Sequence, residues 1–368
     1  MSRPVHGGNL AWAAGLARCA PDELLDFSAS ISPLGPPRSV CEAIQAAFSL
    51  MGAYPDTNYA ELRRALAQHH NVLPEYVLPG NGAAELLTWA ARDLAEQTAC
   101  VVLNPGFSDY DRALKAFGCV PWQIPFFDDR SGWENCWEKQ VFDRVLDLSQ
   151  YGLLLNNPHN PTGVLFARSR LRSLLPKFGL AVVDEAFMDF LPPEREQSVI
   201  DWVSEFPNLV VIRSLTKFYS MPGLRLGYAV AQPATLQRWQ QWRDPWSVNV
   251  LAAAAGVAAI QDGDFQRQTW AWLAAANAQL YEGLKSLPGL EPLPGCANFL
   301  LVACAFSTTA LQLALLERYR IYIRDCMSFE TLGDRYFRVA VKTRAENQRL
   351  IGAIAQILPT LKEPPHVG

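Results

Sequence analysis

Charge is scarce in this sequence: Asp, Glu, Lys and Arg together make up 18% of it, and the formal net charge is −4. No basic tail or run of Lys and Arg is present. The chain therefore offers no footprint for a polyanion, and nucleic acid is not an expected partner. Long hydrophobic runs are also missing. The longest, Val250 to Ile260, is about half of the ~20 residues that a bilayer requires, so no membrane association is expected. The opening MSRPVHGGNLAWAAG has one early arginine and no sustained apolar stretch, unlike a secretory signal. Cysteines stand singly at 19, 41, 100, 119, 136, 296, 304 and 326, with no C-x-x-C pair. That spacing predicts reduced thiols, no disulfide framework and no metal site. Internal repeats, low-complexity tracts and flexible linkers are absent too. The expectation is a soluble, cytoplasmic globular protein.

Half of the residues are hydrophobic, enough to build a substantial core. Short apolar runs recur: ACVVLN ending at Asn104, GLLLNN ending at Asn157, LAVVDEA through Asp184, and LVVIRSL leading to Lys217. Most intervals are long enough for a helix, and Ala167 to Phe178 is the candidate between the second and third runs. Strands alternating with helices predict an α/β fold around a buried, mostly parallel sheet. From about Thr269 the pattern changes. Thr269 to Leu287 and Thr308 to Tyr319 read as helices, ANFLLVAC and YFRVAVKT as strands. The expected organisation is a large domain over 45–255, with 1–44 and 256–368 forming a smaller α+β domain.

Three runs end in polar groups: Asn157 with Asn160, Asp184 with Glu185, and Ser214 with Thr216 and Lys217. Ligands of open α/β sheets sit beyond the carboxyl ends of the strands, so an amide, a carboxylate and an amine are delivered to one crevice. In PGNGAAELL (79–87), two glycines and an asparagine precede a helical run, an arrangement that presents backbone N–H groups to an anion. It is neither a Walker loop nor G-x-G-x-x-G, so a nucleotide or nicotinamide site is poorly supported. In RSLTKFYSMPGLRLGY (213–228), Ser214, Thr216 and Arg225 suit a phosphate. A desolvated lysine such as Lys217 is able to form an imine with an aldehyde. Asp184, ending an apolar run, requires a cationic partner, which a protonated pyridine nitrogen provides.

Together, GNGAAE, NPGFSDY, NNPHNPTG, VVDEAF, SLTKFYSMPGLRLGY and FRVAVKTRAEN resemble, in order and over nearly the whole chain, the aspartate-aminotransferase superfamily (fold type I) of pyridoxal-phosphate enzymes. The resemblance implies that Lys217 is the Schiff-base lysine, that Asp184 contacts the pyridine nitrogen and that Asn160 bonds the phenolic oxygen. Phe107 would stack on the ring. Ser214, Arg225 and the backbone of Gly82, Ala83 and Ala84 would hold the cofactor phosphate. Tyr54 is similar to a tyrosine that reaches the phosphate of a partner subunit, which implies a homodimer. Phe187 stands where many relatives carry a tyrosine.

Within the superfamily, HGGNLAWAAG, LLDFSASISPLGPP, DPWSVN and IRDCMSF resemble the threonine-phosphate decarboxylases of cobalamin biosynthesis. Histidinol-phosphate aminotransferases share the core motifs and are the alternative. The decarboxylase likeness implies a phosphorylated amino acid as substrate, with Arg324 and Arg338 on its anionic groups, chiefly the carboxylate. His6, Gly7 and Ser30 would lie near its phosphate, and Asn160 would contact the substrate as well as the cofactor. Ser30 and Ser32 depart from that family's SANINPLG, replacing both asparagines. Motifs alone do not separate decarboxylation from transamination. A non-catalytic protein that retains the fold is a third possibility, opposed by Lys217 and the filled cofactor positions.

Overall fold

The computed structural model describes residues 3–126, 137–329 and 331–361. These described residues divide into two compact units, one drawn from 1–33, 160–164 and 270–368, the other from 34–159 and 165–269. The first strand, β1 (Leu25–Asp26), belongs to the former.

The larger unit is built on seven strands: β2 (Val77–Asn81), β3 (Cys100–Asn104), β4 (Pro121–Pro125), β5 (Gly152–Asn156), β6 (Leu180–Asp184), β7 (Leu209–Ser214) and β8 (Leu226–Ala231). Their order is β2-β8-β7-β6-β5-β3-β4. Neighbours from β7 through β4 are parallel, and β8 runs antiparallel to both β7 and β2. The runs in which the sequence predicts strands thus form the middle of one sheet. β5, β7 and β8 are buried along their whole length, which explains their near-continuous apolar character. Leu154, Val182, Val210 and Ala229 pack with Leu86, Leu87, Ala90 and Leu94 of the helix Ala83–Leu94. Each such leucine contributes about 1.5–3 kcal/mol through burial.

The register aligns the functional end of this sheet. Asn156 pairs with Asp184, Asp184 with Ile212, Ser214 with Gly227, and Gly227 with Gly80. The residues that follow β5, β6 and β7, the residue that precedes β8 and the one that follows β2 therefore share one edge. The candidate helix after β5 forms over Arg168–Leu174, with a 3-10 turn to Lys177.

In the smaller unit, β9 (Leu290–Pro292), β10 (Phe299–Cys304), β12 (Arg324–Asp325) and β13 (Tyr336–Ala340) make a sheet of order β12-β13-β10-β9. All of its pairs are antiparallel. β11 (Ile321–Tyr322) pairs in parallel with β1, which ties the N-terminal segment to the C-terminal part. The helix Thr308–Tyr319 matches its expected span and is capped by Ser307, whose Oγ accepts from Ala310 N.

Among the described residues no helix is long and apolar enough to cross a membrane.

Candidate active site

In the larger unit the site begins at Gly82, which links β2 to the helix Ala83–Leu94 in a left-handed conformation, φ +77°. Any Cβ there would strike the Arg225 guanidinium. Glycine suits this position because of the positive φ, and its missing Cβ leaves the guanidinium room beside the helix N-terminus. Gly227 serves the same approach, since a Cβ on it would lie 2.5 Å from Ala83 N and 2.8 Å from Arg213 O. Ala83 and Ala84 open the helix, so their N–H groups are among those without an intrahelical acceptor. Ser214 Oγ and Thr216 Oγ1 are 2.8 Å apart at the end of β7. Arg225, itself at φ +56°, donates to Pro222 O at 3.2 Å and is exposed. Backbone donors, two hydroxyls and a guanidinium thus stand at one edge of the sheet, groups of the kind that bind a phosphate.

Lys217 follows directly. It is half-buried, and its Nζ lies 5.0 Å from the centre of the Phe187 ring. Phe187 is buried and carries no hydroxyl. Asp184 is buried with both carboxylate oxygens occupied: Oδ1 accepts from Ala186 N at 3.0 Å, Oδ2 from Tyr110 Oη at 2.7 Å. Burial pushes its pKa up, opposed by the Tyr110 hydrogen bond, the charge of Lys217 and the Ala186 N–H. A cation placed on this carboxylate offsets the cost of its burial. Phe107 meets Tyr110 edge-on, with ring centres 5.5 Å apart. Tyr54 is not drawn into this group: it is 79% exposed and its ring lies 4.6 Å from that of Trp246.

The smaller unit gathers the remaining candidates. Arg324 and Arg338 are direct cross-strand partners on β12 and β13. Arg324 is buried; its guanidinium donates to Pro4 O at 3.2 Å, to Ser328 Oγ and to Val5 O. Arg338 donates to Asn160 Oδ1 and, at 3.4 Å, to Ser28 O. Burial, then the charge of Arg324, pushes Arg338 down to about 10; burial lowers Arg324 as well. Two like charges on facing positions repel, and an anion between them relieves the repulsion. His6 is exposed, and its neighbour Gly7 abuts Ser28, where any Cβ would strike the carbonyl oxygen. Gly8 N donates to Ser28 Oγ at 2.8 Å. Ser30 Oγ is buried with no hydrogen-bond partner among the described residues. Ser32 is buried too.

Tyr110 stands outside the residues that the motifs nominate. Its signal lay inside NPGFSDY, one helical turn beyond Phe107. Arg213, within the buried strand β7, is likewise given no role by the motifs.

The family model described as "Aminotransferase class I and II" matches residues 22–354. The chain is 41% identical to the threonine-phosphate decarboxylase of Salmonella typhimurium, covering 96% of each. Among solved structures, the histidinol-phosphate aminotransferase from Clostridium acetobutylicum aligns with a TM-score of 0.84 at 25% identity, covering 92% of this chain and all of that one. The L-threonine-O-3-phosphate decarboxylase from Porphyromonas gingivalis aligns with a TM-score of 0.78 at 25% identity, covering 90% of this chain and 99% of that one. With matching motifs, sheet order and full-length relatives in agreement, this chain belongs to the aminotransferase class I and II family.

Proposed function

We propose that this protein is a pyridoxal-phosphate-dependent decarboxylase that converts O-phospho-L-threonine to (R)-1-aminopropan-2-yl phosphate, a step of cobalamin biosynthesis. The observation that carries the reading is the facing pair Arg324 and Arg338. Two cations, Arg324 buried and Arg338 half-buried, with polar company suit a substrate that bears a carboxylate beside a phosphate. The full-length likeness to a threonine-phosphate decarboxylase supports the same substrate.

Pyridoxal phosphate supplies an electron sink conjugated to the substrate amine. The protein's own groups do the rest. Lys217 Nζ would hold the cofactor and would be the amine that supplies a proton to substrate Cα. Asp184 would keep the pyridine nitrogen protonated, and Phe107 would be the residue against the ring. Gly82, Ala83, Ala84, Ser214 and Arg225 take the cofactor phosphate. Because the Asn160 carbonyl oxygen accepts from Arg338, its NH₂ is the end that donates to the phenolic oxygen. Arg324 and Arg338 take the anionic groups of the substrate, chiefly its carboxylate. His6, Gly7 and Ser30 take its phosphate. Serine at position 30 is a shorter donor than asparagine, so it asks the phosphate to sit closer.

The test is CO₂ release from O-phospho-L-threonine by the cofactor-loaded protein with 2-oxoglutarate absent. The reading predicts release. If there is none, and glutamate forms instead from histidinol phosphate and 2-oxoglutarate under catalysis, the protein is an aminotransferase. Solved structures of both kinds share this fold, and the full-length likeness to a threonine-phosphate decarboxylase makes the aminotransferase the less supported reading.

The same proposal includes a homodimer in the cytoplasm. Phe48, Leu50, Met51, Tyr54 and Trp246 are all large, apolar and exposed in the larger unit, an arrangement that marks an interaction surface. A second copy would cover them and bring Tyr54 to its partner's cofactor phosphate. Leu50→Glu adds a charge at an exposed position, so the free subunit tolerates it. Light scattering should then give about half the wild-type mass, and the cofactor should dissociate more readily. An unchanged mass would remove this surface from the proposal.

A further inference from the structure

We propose that Tyr110 is a positioning residue for the cofactor: it fixes Asp184 as an oriented, ionised carboxylate and at the same time braces the ring of Phe107. The inference rests on the pyridoxal-phosphate reading above. Tyr110 lies in the helix Asp109–Ala116 and is 2% exposed. Its hydroxyl donates to Asp184 Oδ2 at 2.7 Å across 74 residues of sequence. Asp184 Oδ1 is held by Ala186 N, so each oxygen has one fixed donor and the plane of the carboxylate is set. A donor to the charged form stabilises that form. Here it works directly against burial, the largest influence raising Asp184.

Burial and the adjacent carboxylate also push the Tyr110 phenol well up, so the hydroxyl keeps its proton over the whole working range and remains a donor. The same ring meets Phe107 at 5.5 Å and 88°, and Tyr110 N bonds Phe107 O at 3.0 Å. One residue thus supports both the group assigned to the pyridine nitrogen and the ring assigned to the cofactor face. A phenylalanine at 110 would keep the second support and lose the first.

The experiment compares wild type, Tyr110→Phe, Asp184→Asn and the double variant, each loaded with pyridoxal phosphate. Three quantities are read: cofactor Kd by fluorescence, the pH midpoint of the visible cofactor band, and kcat against KM. For Tyr110→Phe, cofactor Kd should rise about tenfold or more, as loss of a hydrogen bond to a charged group implies. The band midpoint should move, kcat should fall, and substrate KM should hold. In the Asp184→Asn background, Tyr110→Phe should add almost nothing, because the group it acts through has lost its charge. A purely structural tyrosine would lower the melting temperature and leave the band midpoint in place. Unchanged Kd and midpoint in Tyr110→Phe, or additive effects in the double variant, would overturn the inference while leaving the cofactor reading intact. A wild type with no cofactor band would overturn both.

Discussion

Lys217→Ala protein, prepared with pyridoxal phosphate, is expected to release CO₂ from O-phospho-L-threonine at least roughly a thousandfold more slowly than wild type, as removal of a nucleophile that also moves a proton implies. Two separate losses combine. The covalent anchor disappears, so the cofactor should dialyse away and borohydride should fix none of it to the chain. The amine that returns a proton to Cα disappears with it. A third effect follows from the electrostatics: Lys217 is one of the groups that hold Asp184 down against burial, so its removal lets that carboxyl rise further. The fold should not suffer, because Lys217 is half-buried in a turn and Ala leaves no large cavity. Far-UV circular dichroism should therefore match wild type while CO₂ release is lost. Lys217→Arg separates charge from nucleophile; it should restore the positive charge beside Asp184 and no turnover. Release within tenfold of wild type in either variant would remove Lys217 from its assigned role.

Much of this site is legible in the sequence because strand ends are. Asp184 and Lys217 each terminate an apolar run, and a parallel sheet brings such ends to one edge whatever the details of packing. The glycines of PGNGAAELL and LRLGY are legible for a related reason, since their lack of a Cβ is itself the structural device. What is not legible depends on register and on direction. β8 is buried throughout, so its LGYAVA reads like a parallel strand although it runs the other way. β4 is bounded by Pro121 and Pro125 and only partly buried, which suits an edge strand but leaves a weak apolar pattern. Tyr110 reaches Asp184 only because the turn after β3 sets the helix Asp109–Ala116 against the end of β6. No spacing rule connects residues 110 and 184. Arg324 and Arg338 face each other through a two-residue strand, too short to show a period. Their roles came from resemblance, and the pairing came from the structure.

Arg213→Met is expected to cost about 3–5 kcal/mol of stability, the range for removing one partner of a buried ion pair. Arg213 is 1% exposed and meets three carboxylates: Glu185 at 2.9 Å, Glu196 at 2.6 Å and Asp189. Burial works against its charge, yet the acids outweigh this and hold it well up. Glu185 is fully buried and also accepts from Ser198 Oγ at 2.7 Å and Val199 N at 2.8 Å. Burial pushes both Glu185 and Asp189 above the usual carboxylate range, and Arg213 is the first group opposing it. Without the guanidinium these two acids rise further. A carboxyl whose folded pKa exceeds its unfolded value contributes stability below the unfolded value and loses it as pH rises through the folded one. The deficit of Arg213→Met should therefore be smaller at pH 5 than at pH 8, measured as the difference in melting temperature from wild type at each pH. Should that variant fail to fold, Glu196→Gln removes only the outermost partner and should lower stability far less. Function should follow stability here, because Arg213 precedes Ser214 and Glu185 follows Asp184 on adjacent strands. Tying them together holds in register the two strand ends assigned to the cofactor. A deficit under about 1 kcal/mol, or one that grows toward acid, would mean that the cluster is not held by this arginine.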